Sequence, residues 1–125
     1  MAVKELTKNN FNETIETNDT VFVDFWASWC GPCRAFKPIF EAAAEAHPEA
    51  AFVSCNTEEQ QELAAAFSIR SIPTLMVFRE KVLLYAQPGM LPAEALENLI
   101  GQVKALDMAK VHAEIASQQA AEASA

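Results

Sequence analysis

The spacing of apolar positions along the chain changes period several times, and each change marks an expected element. "VFVDFWA", Val21 to Ala27, is almost continuously apolar and rich in β-branched and aromatic residues, which suits a central strand covered on both faces. From Cys30 the period becomes helical: Cys33, Phe36, Phe40, Ala43 and Ala44 recur at intervals of three and four. Pro38 falls inside that pattern and, lacking an N–H, is expected to kink the helix. "HPEA" ends it, because a residue before proline disfavours the helical region. "AFVSC" reads as a second buried strand and "EEQQELAAAF" as a short helix. "TLMVF" and "VLLYA" read as an antiparallel pair, although the intervening "REK" lacks the Asn-Gly or Asp-Gly of an easy hairpin.

At the ends of this series the pattern is thinner. Val3 to Leu6 fits a short edge strand, and Asn9 to Glu16 a weak helix with Phe11 and Ile15 on one face. After "QPGMLP", Ala93 to at least Leu106 is a strong helical segment with Pro92 in its first turn. Leu96, Leu99, Ile100 and Val103 form one stripe there, whereas Met108, Val111 and Ile115 form a second, rotated by roughly 100° at the helical repeat. One straight helix cannot bury both stripes against one surface. The extension either bends back onto its own domain or offers the second stripe to a partner or a second copy, and "ASQQAAEASA" is expected to fray. Strands alternating with helices and closing on a hairpin predict an α/β fold, a mixed sheet with helices on both faces. Residues 1–107 are expected to form the domain and 108–125 a helical extension.

Bulk properties narrow the function classes. A chain of 125 residues supports one hydrophobic core and one site. The formal charge of −8, with nine Lys and Arg dispersed along the chain, leaves no basic patch for phosphates, so neither nucleic acid nor an anionic membrane is an expected partner. "MAVKELTKNN" lacks the apolar core of a secretory signal, and a cytoplasmic location is expected. Thiols there stay reduced, so a Cys-x-x-Cys pair points to catalysis or metal binding.

Two of the three cysteines occupy the junction of the central strand and the long helix, in "FWASWCGPCRAF". A cysteine at a helix N-terminus meets unsatisfied N–H groups and the positive end of the macrodipole, which favour its thiolate. Cys30 fits that position; Cys33, one turn on, is within disulfide reach and is expected to be the more buried. That asymmetry makes Cys30 the attacking sulfur and Cys33 the resolving one, with Gly31 and Pro32 keeping the turn short. Asp24, a carboxylate within an apolar strand, is costly to bury and would have a raised pKa. It reads either as an edge or bulge residue reaching water or, preferred here, as a buried acid that takes the Cys33 proton.

"VDFWASWCGPCRAFKP" resembles the active-site signature of the thioredoxin family, and "SIPTLMVF" resembles that family's cis-proline strand; the similarity covers about residues 3 to 106. The resemblance implies the thioredoxin fold and a protein-disulfide reductase that maintains cell redox homeostasis by dithiol–disulfide exchange through Cys30 and Cys33, with Asp24 as acid–base group. It implies a cis bond before Pro73, with the Ile72 backbone offered to an extended substrate segment. Trp29, Gly31, Pro32, Ile72, Pro73 and Gly89 would form the docking surface. Expected partners are disulfide-containing client proteins and a flavin-dependent thioredoxin reductase using NADPH. No bound cofactor or metal is expected, and the chain is expected to be a monomer, with a weak dimer through the extension as the variant.

The chain departs from the family where a lysine usually stands beside the buried acid: the corresponding residue is Ser54, so Asp24 should be harder to ionise and its proton path should run through Ser54 or water. "REK" replaces the family's glycine-bearing hairpin. Cys55 reads as a small buried hydrophobe, and His47 and His112, like the Lys and Arg residues, as solvated. A zinc site from Cys30, Cys33, Cys55 and His47 has the ligand count but lacks a second closely spaced pair. A redox-independent interaction module is the competing function, marked by partner binding that survives loss of both thiols.

Overall fold

A computed structural model describes residues 2–124; positions 1 and 125, the outer limits of the expected domain and extension, lie outside the described residues. Strand β1 (Val3–Glu5) precedes helix α1 (Phe11–Thr17), and β2 (Thr20–Trp26) leads into α2 (Gly31–Ala46). There follow β3 (Ala51–Asn56), α3 (Gln61–Ala66), β4 (Thr74–Arg79), β5 (Val82–Pro88), α4 (Ala93–Ala105) and α5 (Met108–Ser124). The sheet order is β1-β3-β2-β4-β5. The β1–β3 and β2–β3 pairs are parallel, while β2–β4 and β4–β5 are antiparallel. This is the mixed sheet expected from the alternation, with β1 on an edge.

Strand periodicity divides the core in two. On one face Phe22, Phe52, Leu75 and Val77 pack with Phe36, Phe40 and Ala44 of α2 and Leu96, Ile100 and Val103 of α4. On the other, Val21, Val23, Phe25, Cys55 and Met76 pack with Leu63 of α3 and with Phe11 and Ile15 of α1. The five α2 positions named from spacing, Cys33, Phe36, Phe40, Ala43 and Ala44, are the five buried residues of that helix. Phe22 stacks on Phe52 at 4.7 Å between centroids, and Phe40 meets Phe52 edge-on, which fixes α2 over the centre of the sheet.

Several expectations need correction. Pro92 is the N-cap of α4, in extended geometry, and not a residue of its first turn. Helix α3 starts only at Gln61, because the Asn56 Oδ1 accepts from the backbone of Glu58 and Glu59 and holds those residues in a turn. His47 is not simply solvated: it ends α2, and its Nε2 lies 2.8 Å from Glu97 of α4. Lys104 contacts both His47 and Glu49, tying the end of α2 to α4. Arg79 is no free surface cation, since its Nη1 donates to the carbonyls of Val103 (2.7 Å) and Leu106 (3.0 Å).

The two stripes at the C-terminus are reconciled by a break. Leu106 is extended, and Asp107 Oδ1 accepts from Lys110 N at 3.2 Å, starting a new helix. Met108 is buried, Val111 and Ile115 are half-buried, and His112 Nε2 lies 2.8 Å from Glu80 at the β4–β5 turn. The stretch expected to fray is helical to Ser124, with the side chains of residues 116–124 exposed.

Candidate active site

Cys30 is the N-cap of α2, with extended φ and ψ of −87° and 114°. Its Sγ accepts from Cys33 N at 3.2 Å, the role an Asp or Ser oxygen usually plays at this position. Its carbonyl accepts from Arg34 N at 3.2 Å, so the helix begins on Cys30 itself. Cys30 and Cys33 are joined as a disulfide, with Cα atoms 5.2 Å apart. The expected difference in exposure is absent in this oxidised form, where the two are 4% and 3% exposed. What separates them is their surroundings.

On the outer side, Cys30 Sγ lies 3.6 Å from the carbonyl oxygen of Ile72, which precedes Pro73 through a cis bond. Gly89 N donates to the Pro73 carbonyl at 2.7 Å, and its φ of +97° is one that a residue with a Cβ rarely adopts. Trp29 is 67% exposed, Gly31 and Pro32 are exposed and Ile72 is half-buried, whereas Pro73 is buried. The structure thus brings Cys30, Ile72, Pro73 and Gly89 together and leaves Trp29, Gly31 and Pro32 open to solvent. Met90, the residue after Gly89, is exposed. A groove of about 210 Å³ follows β4 and β5, lined by Phe67, Ile69, Arg70, Met76 and Gln87.

Behind the sulfurs lies Asp24. It pairs with Ser54 of β3 and Leu75 of β4, in the middle of the sheet, and is 4% exposed. This excludes the edge or bulge alternative. Its Oδ1 has no hydrogen-bond partner, and burial pushes its pKa up to about 7. A cavity of about 540 Å³ contains Asp24, Ser54 and Cys33 in its lining, together with Trp26 and Phe40, but not Cys30. A space of that size has room for several waters. Cys55 faces the opposite side of the sheet, where burial pushes its thiol up to about 11, so it shares no site with Cys33.

The profile of the Thioredoxin family matches residues 2–102. The chain belongs to the thioredoxin family. It is 55% identical over 116 residues to a thioredoxin-named protein of Streptomyces coelicolor, covering 93% of this chain and 87% of that one. With the thioredoxin of Alicyclobacillus acidocaldarius it shares 41% over 103 residues, which is 82% of this chain and 98% of the relative. A mutant thioredoxin from Halobacterium salinarum superposes with a TM-score of 0.75 at 31% identity, covering 84% of this chain and 91% of the other. Membership and the bonded cysteine pair together make this a thiol–disulfide oxidoreductase that works by dithiol–disulfide exchange. The thioredoxin fold expected from the signature is the fold observed. Among the described residues no helix is long and apolar enough to cross a membrane.

Proposed function

We propose that Cys30 is the nucleophile, Cys33 the resolving thiol and Asp24 the acid–base group of a protein-disulfide reductase. The Cys30 thiolate attacks one sulfur of a client disulfide, forming a mixed disulfide and releasing the other client sulfur as a thiolate. Cys33 then gives its proton to the Asp24 carboxylate and attacks Cys30, and the second client sulfur leaves and is protonated. The client gains two electrons and the pair becomes the Cys30–Cys33 disulfide. One observation carries this assignment: Cys33 lines the Asp24 cavity and Cys30 does not, while Cys30 caps the helix and faces Ile72.

Trp29, Gly31, Pro32, Ile72, Pro73 and Gly89 form the docking surface in this reading, with the Ile72 carbonyl available to an extended client strand. The family implies thioredoxin reductase as the recharging partner and disulfide-containing proteins as clients. The net charge of −8 supports a reading without nucleic acid or membrane partners, and the protein acts as a cytoplasmic monomer whose residues 1–107 carry the chemistry and 108–125 an accessory helix. The decisive experiment is insulin reduction driven by thioredoxin reductase and NADPH. Cys30→Ser should abolish turnover and Cys33→Ser should trap a mixed disulfide; turnover by Cys30→Ser equal to wild type would overturn the assignment.

A further inference from the structure

The cavity over Asp24 gathers ionisable groups from every element around it. Asp24 comes from β2, Glu5 from β1, Glu59 from the turn after β3, and Cys33, Arg34, Lys37 and Glu41 from α2. Only two of these are cations. Arg34 is engaged, its Nη1 donating to the Ser28 carbonyl at 2.9 Å. Lys37 is exposed and makes no ion pair among the described residues. Ser54, opposite Asp24, brings a hydroxyl and no charge.

Lys37 stands one turn after Cys33 on the same flank of α2, and helical side chains lean toward the N-terminus, here toward Cys33 and Asp24. Its four-carbon stem is long, flexible and able to lie along apolar walls with the ammonium displaced from its Cα. The competing anion on its own helix is Glu41, four residues on, but lysine preceding glutamate is the less favourable order for such a pair, and the pair is not formed. Asp24 Oδ1, buried and without a partner, is the acceptor left open.

We propose that Lys37 is a positioning residue for the Asp24 proton step: its ammonium turns into the cavity and lies against the Asp24 carboxylate whenever that group is ionised. The inference rests on the reading of Asp24 as base for Cys33. Asp24 can accept the Cys33 proton only as a carboxylate, and an adjacent cation extends the carboxylate form to lower pH. Lys37 therefore sets the acid limb of the resolving step.

The test uses the full-length reduced protein in wild-type, Lys37→Met, Lys37→Arg and Asp24→Asn forms. The Asp24 carboxyl carbon is titrated by NMR, and the rate of Cys33-dependent release from a preformed Cys30 mixed disulfide is followed against pH. Lys37→Met should move both midpoints up by about one pH unit and slow release by up to about tenfold on the acid limb. Lys37→Arg, which keeps the charge, should restore both to near wild type. Midpoints unchanged in Lys37→Met overturn the role of Lys37. A wild-type acid limb persisting in Asp24→Asn overturns instead the reading of Asp24 as base, so the two failures are distinct.

Discussion

Replacing Asp24 by Asn should change not only the stability of the protein but also the way stability depends on pH. In the fold the carboxyl is raised from its ordinary 3.8 to about 7, with burial as the cause. Between those values the native state holds a proton that the unfolded chain has lost, so stability falls as pH rises. The contribution is fully present below about pH 3.8 and gone once pH has risen through about 7. At about 1.4 kcal/mol per pH unit over roughly three units, the wild type loses about 4 kcal/mol that an uncharged Asn does not lose. Asn brings its own fixed offset, since a buried amide lacking partners costs about 1–3 kcal/mol, but that offset does not vary with pH. Urea unfolding of the oxidised proteins at about pH 4, 6 and 8 measures the difference, with the disulfide retained in both states and other titrating groups cancelling. Asp24→Asn should gain on wild type steadily from acid to alkaline pH. Parallel curves across that range would refute the claim that this carboxyl is held out of water.

Three further outcomes follow from other parts of the fold. Lys81 sits at φ 69°, a conformation costing a side-chain-bearing residue about 1–2 kcal/mol, so Lys81→Gly should stabilise by about 0.5–1 kcal/mol after glycine's own entropy, read from urea midpoints at unchanged m. Arg79→Gln should cost about 2 kcal/mol by freeing the last carbonyls of α4, and hydrogen exchange should rise at Leu106 to Val111 before it rises in the sheet. Cys55, fully buried with its thiol up at about 11, should resist iodoacetamide at pH 8 in a Cys30→Ser/Cys33→Ser background until the protein unfolds, and Cys55→Ala should reduce insulin at the wild-type rate.

What could be read from the residues alone is what local physics decides. Val21 to Ala27 had to be covered on both faces, and β2 is flanked by β3 and β4 with a cluster on either side. The stripe from Cys33 to Ala44 named the buried side of α2 because that helix turns one face to the sheet and α4 and leaves the other exposed. Long-range pairing hid the rest. The "REK" turn carries Glu80 and Lys81 at φ 50° and 69° with neither Asn nor Gly, a conformation enforced by the β4–β5 pairing and by Glu80 N donating to the Asp19 carbonyl at 2.8 Å. The break after α4 had one local signal, Asp107 as a cap, and one that only the fold reveals: Arg79, 24 residues before Val103, closing the helix end. At the site, the position of Asp24 was legible as a polar residue in an apolar run. Its company of Cys33 and Ser54 was expected from the resemblance, but the cavity that adds Lys37, Glu5 and Glu59 was not, because its lining comes from strands, a turn and a helix that are neighbours only in space.

The two sulfurs illustrate how the fold can give one chemical group two tasks. Cys30 and Cys33 are equally buried in the disulfide, so exposure alone does not say which one a client meets. Their electrostatic surroundings differ in sign. Cys30 sits where the first N–H groups of a 16-residue helix converge, one of them already donating to its sulfur, and that environment favours a thiolate. Cys33 shares a cavity with a buried carboxyl group, and a carboxylate there opposes a second negative charge until a proton has passed between them. In the proposed mechanism the charge of the reduced site is therefore held on the outer sulfur and the proton inside. Formation of the mixed disulfide removes that outer charge, and only then does ionising the inner sulfur become favourable. In the proposed mechanism the order of the two attacks follows from where the charge can reside at each stage.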